Sequence, residues 1–183
     1  VEKEDYAEAK ELLLRAVGEY PHNLGEGKLE SGQENNLYYL LGLVQEKLGE
    51  AKDAFESLTR ACCGESEPVG MMYYNDQPPE MIYYQGLAYR MLGEEEQAVR
   101  RFQKLVDYGR EHIRDDVKID YFAVSLPDLL IFEENLNERN RKHCLFMMSL
   151  GLKGLGRIDE AEKCAEELLA MDNAHQEIRV HDL

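Results

Sequence analysis

Three acidic side chains near the middle of the chain are the first candidates for chemistry. Asp128 lies close in sequence to Glu133 and Glu134, and paired carboxylates can act as general acid and base. A solvated loop explains these residues better. The sequence also shows no Ser–His–Asp set and no glycine-rich phosphate loop. We therefore predict no catalytic residue and expect that the chain is not an enzyme.

His143 lies in a basic patch and is a candidate for a metal ligand or a groove contact. His143 follows Arg139, Arg141 and Lys142 in the sequence. A metal ligand on a helix would need a second His or Cys four residues further on, and that position is Met147. A contact in a binding groove, or a surface that balances charge, suits His143 better.

The cysteines give no metal site either. Cys62 and Cys63 are adjacent, which is not the spacing of a zinc-binding pair, and Cys144 and Cys164 have no cysteine near them in sequence. Buried or free thiols in a reducing cytoplasm are the simplest interpretation. We predict no metal and no cofactor.

A tyrosine-rich segment before two prolines could contact a ligand. It contains Tyr73, Tyr74, Asn75 and Asp76. Tyrosine and asparagine are adaptable contact residues, so the segment could form a binding loop. The alternative is a structural plug that packs on a neighbouring helix.

Composition narrows the classes of partner. The chain has 183 residues, 44% of them hydrophobic, and a formal net charge of −16. The hydrophobic fraction is sufficient for a core, while the acidity argues against nucleic acid and anionic membranes, which need clustered Lys and Arg. No window approaches the roughly 18–20 apolar residues of a membrane helix, and the first residues do not form a signal peptide. We predict a cytoplasmic protein.

A short sequence motif, which we call the repeated phrase, occurs three times in the chain. It predicts helical hairpins, and these hairpins must position the candidate residues. Its copies are Leu48-Gly49 with Ala54, Leu92-Gly93 with Ala98, and Leu155-Gly156 with Ala161. The glycine is expected to end one helix in a left-handed conformation, and the preceding leucine to pack between the helices. The alanine, five residues after the glycine, permits close approach of the second helix.

Apolar residues recur at helical spacing on both sides of each repeated phrase. The sequence therefore predicts an all-α array of helical hairpins. The hairpins are predicted at residues 35–62, 80–113 and 137–171, after a single helix within residues 1–21. Two segments at 64–79 and 114–136 are predicted insertions between hairpins. Residues 172–183 extend or cap the last hairpin.

This pattern resembles the tetratricopeptide repeat, a helical hairpin of about 34 residues. The three copies supply these matching residues: Tyr38, Leu41, Gly42, Gly49, Ala54, Leu58 and Ala61; Ile82, Gly86, Tyr89, Gly93, Ala98 and Phe102; and Leu145, Ser149, Gly156 and Ala161. The glycines at 49, 93 and 156 lie 44 and 63 residues apart, and the insertions account for the excess.

The first helix matches only the second half of such a repeat. Its matching residues are Tyr6, Ala9, Leu13, Ala16 and Pro21. The whole string also resembles the C-terminal region of large bacterial proteins, in which an uncharacterised β-rich domain precedes such repeats. This resemblance implies that the chain is part of a longer protein, or that another element covers the first helix.

The resemblance also implies an inner groove lined by the first helix of each hairpin. The groove residues that we predict from it are Asn36, Tyr39, Tyr83, Arg90, His143, Phe146 and Lys153. The position ten residues before each repeat glycine is aromatic in all three copies: Tyr39, Tyr83 and Phe146. Either this stripe binds a peptide, or the insertions fold back and bury it as core.

Two functions follow as expectations. The first is a non-catalytic scaffold that docks a protein or peptide, including the N-terminal domain of the same polypeptide. The second is an accessory helical domain that lends loop residues such as Tyr74, Asn75 and Asp76 to a carbohydrate-active enzyme domain outside this chain. The sequence does not determine the oligomeric state.

Overall fold

The described residues of the computed structural model form α-helices and contain no strand. They comprise 5–18, 34–70, 76–118 and 135–181. Their helices are α1 (Tyr6–Gly18), α2 (Asn35–Lys47), α3 (Ala51–Ala61), α4 (Pro79–Met91), α5 (Glu95–His112), α6 (Leu136–Gly154), α7 (Ile158–Met171) and α8 (Gln176–Val180). The predicted all-α helical repeat array is confirmed.

The same turn closes each of the three hairpins α2–α3, α4–α5 and α6–α7. Its glycine has a positive φ angle of 78° at Gly49, 80° at Gly93 and 74° at Gly156. In the first turn the amide of Glu50 donates to the carbonyl of Gln45 at 2.9 Å, and the other two turns repeat this bond between equivalent residues. This pattern satisfies carbonyls at the helix end that would otherwise lack donors.

The alanine of each repeated phrase is buried, whereas the leucine is not always so. Ala54, Ala98 and Ala161 are 4%, 0% and 1% exposed. Leu92 packs against a cluster of buried residues from α3 and α4, but Leu48 is 39% exposed. The predicted burial of the leucine is therefore wrong for Leu48. The helix that packs on α2 from before it in the chain, α1, has no buried residue, whereas Leu92 has buried residues of α3 to pack against.

The chain divides into two compact units, which we describe separately. The first comprises residues 1–67 and 77–102, and the second comprises residues 68–76 and 103–183. In the first unit α1 packs on α2, α2 packs on α3, and both α2 and α3 pack on α4. Its core includes the fully buried Val44, Ile82 and Phe102.

Glycines in the first helix of two hairpins make room for a large side chain from the second helix. A Cβ atom on Gly42 would lie 2.7 Å from Cγ of Leu58, and one on Gly86 would lie 2.4 Å from a ring carbon of Phe102. The third hairpin has two small residues at these positions, Ser149 and Ala165, both buried. The pairing of a glycine with a large side chain is therefore a feature of the first two hairpins.

Two buried amide side chains hold the segment that leaves α3. Gln85 is fully buried, and its Nε2 donates to the carbonyls of Cys63 and Glu65 at 3.1 and 2.8 Å. Its Oε1 accepts a hydrogen bond from Arg101 Nε at 3.0 Å. Asn35 Nδ2 also donates to the carbonyl of Cys63 at 2.8 Å. Hydrogen bonds from these buried amide side chains to backbone carbonyls therefore anchor the start of the first insertion.

The second unit is built around α6, which packs against α7. The later part of α5 approaches α6 closely, because a Cβ atom on Gly109 would lie 2.8 Å from the carbonyl oxygen of Cys144. Asn140 Nδ2 donates to the carbonyl of His112 at 2.7 Å. The C-terminal residues form the short helix α8, whose Ile178 is fully buried.

Gly86→Ala is expected to destabilise the protein by about 1–3 kcal/mol, because the added methyl group overlaps the Phe102 ring. Phe102→Leu removes the overlapping ring atoms, so the double variant should lose less stability than the two single variants together. Urea unfolding of the four proteins measures this coupling. Gly18→Ala, where nothing lies within 4 Å of the new Cβ, is the control. Strict additivity would contradict the proposed steric pairing.

Candidate functional site

Three tyrosines of the first unit form a cluster where α2 packs on α4. Tyr84 is central: its ring centroid lies 5.5 Å from that of Tyr39 and 5.7 Å from that of Tyr83. Tyr83 lies 5.7 Å from Phe102, which belongs to the buried core. These separations and tilted ring planes are typical of favourable aromatic pairs. We call Tyr39, Tyr83 and Tyr84 the tyrosine cluster.

The three rings differ in exposure. Tyr83 is only 7% exposed, whereas Tyr39 and Tyr84 are half-buried. Burial raises the pKa of all three hydroxyls, that of Tyr83 to about 12. The hydroxyl groups therefore stay protonated at neutral pH and can donate hydrogen bonds. The cluster therefore presents two partly accessible rings, Tyr39 and Tyr84, beside the buried ring of Tyr83.

Two carboxylates act on the tyrosine cluster electrostatically. After burial, Glu46 is the next cause of the raised pKa of Tyr39. Glu80 contributes in the same direction to the raised pKa of Tyr84, behind burial and Tyr39. Glu46 is exposed and Glu80 is half-buried. Arg90 acts on Tyr83 in the opposite direction, so charges of both signs act on the cluster.

Arg90, a predicted groove residue, is held within its own hairpin. Its Nε and Nη2 donate to the carboxylate of Glu95 at 2.9 and 2.7 Å. Its guanidinium carbon lies 5.0 Å from the centre of the Phe102 ring. The other predicted residue of this unit, Asn36, uses its Oδ1 to accept a hydrogen bond from the Leu37 amide at 2.8 Å. The structure brings Tyr39 and Tyr83 together through Tyr84, and gives Asn36 a local role.

Tyr84 was not among the predicted site residues. The repeat register favours the position ten residues before each glycine, and Tyr84 lies one residue later. The other two copies have Leu40 and Met147 at this position. The tyrosine in the second copy was therefore the sequence signal that could have pointed to Tyr84. Its role depends on how α4 meets α2, which the register alone does not give.

In the second unit, the C-terminal segment covers the predicted aromatic position. Phe146 is 4% exposed, and its ring centroid lies 5.3 Å from that of His175 and 5.9 Å from that of His181. Lys153 Nζ donates a hydrogen bond to the carbonyl of His181. Two predicted groove residues of the third hairpin are thus engaged by residues that flank α8.

His143 contacts the first insertion. Its Nε2 donates to the carbonyl of Val69 at 2.7 Å, because a carbonyl can only accept. Burial is the main cause of a lowered pKa of His143, and the charges of Arg139 and His175 add to it. The bond to Val69 and the charge of Asp76 oppose this shift. Asp76 is half-buried. Tyr73, Tyr74 and Asn75 lie outside the described residues.

The remaining reactive groups do not assemble into a site in the part of the chain that the structure describes. There, no three His, Cys, Asp or Glu side chains are grouped as a metal site would need. The four cysteines are free thiols, and burial raises the pKa of Cys62 and Cys144 to about 12, which disfavours the reactive thiolate. Asp128, Glu133 and Glu134 lie outside the described residues.

Among the described helices, none has the length and apolar character needed to cross a membrane.

Comparison with known families identifies the second hairpin. Residues 80–108 match the tetratricopeptide repeat. The matched segment includes Tyr83, Tyr84 and Arg90. No solved structure matches the chain. The tyrosine cluster therefore lies partly within the matched tetratricopeptide repeat.

The lowered pKa of His143 predicts a loss of stability in acid. Below the ordinary pKa of about 6.5, the unfolded chain binds a proton that the folded chain still excludes, so the free energy of unfolding falls with pH. The fall ends once the pH drops below the folded pKa. His143→Gln, whose amide can still donate to Val69, should flatten this dependence.

Two measurements check this expectation. Urea unfolding of the wild type and His143→Gln between neutral pH and about pH 5 should show a difference that grows as pH falls. NMR titration of the His143 ring should give a midpoint below about 6.5. Arg139→Gln, which removes a neighbouring positive charge, should raise that midpoint. An ordinary or raised midpoint in the wild type would contradict the assignment.

Proposed function

We propose that the chain is a non-catalytic docking scaffold whose tyrosine cluster binds a segment of a partner protein. The observation that carries this proposal is the cluster itself, which keeps two half-buried tyrosine rings on a repeat array. Tetratricopeptide repeats generally mediate protein–protein interaction, which supports the proposal. Tyrosine supplies a large, rigid contact area and a hydroxyl donor, so it is favoured at such surfaces.

We further propose that the partner segment belongs to a cytoplasmic protein, or to the same polypeptide. Four free thiols support a reducing compartment. The resemblance to bacterial proteins with a β-rich N-terminal domain makes that domain one candidate partner. The alternative role, as an accessory to a carbohydrate-active enzyme, gains no support from the described residues, since two of its three contributing residues, Tyr74 and Asn75, lie outside them.

The double substitution Tyr39→Ala/Tyr84→Ala is expected to remove peptide binding while the helices remain folded. Peptides selected from a displayed random library against the full chain serve as ligands, and fluorescence anisotropy measures their affinity. We expect a loss of about tenfold or more, because a well-placed aromatic at an interface contributes about 1–2 kcal/mol.

Tyr38→Ala is the matched control, because Tyr38 is a half-buried tyrosine on the same helix but lies outside the cluster. Its ring lies under Arg60, 5.5 Å from the guanidinium carbon. This variant should bind selected peptides within about twofold of the wild type, a difference of about 0.4 kcal/mol. Circular dichroism checks that all three proteins are helical. A library that yields no ligand, or ligands that ignore Tyr39 and Tyr84, would refute the proposal.

A further inference from the structure

We infer that residues 172–181, which we call the α8 segment, are an internal ligand on a second peptide-binding surface, and that a partner segment with the same pattern binds there after displacing them. The surface is the face of α6 that carries Phe146 and Lys153. The pattern is an aliphatic residue between two flat rings on one face of a short helix. All of these residues belong to the second unit, and none belongs to the tyrosine cluster.

The face of α6 carries the aromatic repeat position of the third hairpin. Phe146 lies ten residues before the glycine of its turn, as Tyr39 and Tyr83 do. Lys153 follows Phe146 by seven residues, which places both side chains on one face of α6. In the first unit the equivalent Tyr39 is half-buried, whereas Phe146 is only 4% exposed. The predicted groove position of this unit is therefore already filled.

The α8 segment fills it with one face of its own. His175, Ile178 and His181 follow one another at intervals of three residues, so they share a helical face. The ring centroids of His175 and His181 lie 5.3 and 5.9 Å from that of Phe146, and Ile178 between them is fully buried. Such separations are typical of favourable aromatic contacts. The segment therefore docks through two rings and one aliphatic side chain.

The polar contact with Lys153 uses the backbone of the α8 segment. Lys153 Nζ donates to the carbonyl of His181, a group that any peptide supplies. The imidazoles bond within the segment: His175 Nδ1 accepts from the Ile178 amide at 3.3 Å, and His181 Nδ1 donates to the carbonyl of Glu177 at 2.7 Å. What distinguishes one occupant from another is therefore the pair of rings and the aliphatic residue.

The α8 segment buries little of itself. Among residues 172–181 only Ile178 is buried, and Val180 on the same helix is 74% exposed. The helix α8 (Gln176–Val180) is far shorter than the roughly 12–15 residues that an isolated helix needs. One buried side chain and two ring contacts must therefore offset the conformational entropy of the whole segment. We expect the segment to open while α6 and α7 stay folded.

A labelled peptide with the sequence of residues 172–183 tests whether the surface accepts a segment that is not tethered to it. The full chain with Ile178→Asp should bind this peptide, because its own segment no longer occupies the surface. A tethered segment has an effective concentration of about 1 mM, so one that is closed about tenfold more often than open implies a dissociation constant of about 0.1 mM. By fluorescence anisotropy the wild type should bind at least about tenfold more weakly, since only its open fraction is competent.

Val180→Asp in the chain is the matched control, because Val180 is an exposed aliphatic residue of the same helix. This variant should bind the peptide as weakly as the wild type does, within about twofold. Substitutions in the peptide leave the protein unchanged. There, Ile178→Asp should remove binding and His181→Ala should weaken it about threefold or more, whereas His181→Phe should keep it within about twofold because the ring contact remains.

Hydrogen exchange of the wild type supplies a measurement that needs no variant. The amides of Ile178 and His181 should exchange through local opening, at least about tenfold faster than that of Leu168, which is fully buried on α7. The exchange of Leu168 in the Ile178→Asp chain, together with circular dichroism, checks that α7 remains folded there.

Each contrary result overturns the inference. A folded Ile178→Asp chain that does not bind the peptide would do so, and so would equal binding by this chain and the wild type. Exchange of the Ile178 amide no faster than that of Leu168, or unfolding of α6 and α7 in the variant, would show that the α8 segment belongs to the fixed core. A wild-type dimer that Ile178→Asp abolishes would identify a second copy as the occupant in place of a partner segment.

Discussion

Each hairpin depends on one residue that can hold a left-handed backbone immediately beyond a helix. A side chain with a Cβ atom is strained at the φ angles of 74–80° that Gly49, Gly93 and Gly156 adopt, whereas glycine is not. The turn lets the next amide bond back to the helix end, as Glu50 does to Gln45. The second helix then begins in a fixed phase. Positions on the second helix, such as Leu58 and Phe102, therefore face the first helix, which carries the aromatic position, in the same way.

The fixed phase places equivalent residues in equivalent positions, but their surroundings decide what they do. In the first unit Tyr83 is backed by Phe102, which fills the space left open by Gly86. In the second unit Phe146 is the equivalent residue, and the rings of His175 and His181 cover it. One aromatic position thus supports an accessible cluster in one unit and an intramolecular contact in the other.

Local sequence rules predicted the turns and helices well, because glycine conformations and apolar periodicity act over a few residues. They failed where an outcome depends on what another element provides. Leu48 and Leu92 are both followed by Gly-Glu, yet Leu48 is 39% exposed whereas Leu92 packs against buried residues of α3 and α4. The part of Tyr84 in the cluster depends on the packing of α4 on α2. The cover over Phe146 comes from His175 and His181, about 30 and 35 positions further along the chain, and no local pattern specifies it.

The arginines of the first unit show how the fold uses its own aromatic rings. Arginines of the first unit lie over its own aromatic rings, as Arg60 does over Tyr38 and Arg101 over Tyr89. Arg90 is paired with Glu95 in addition to its ring contact. Three arginines of the unit are therefore engaged by its own rings, which stabilises the hairpins from within. The half-buried rings of Tyr39 and Tyr84 are a part of this aromatic system that still presents surface to solvent.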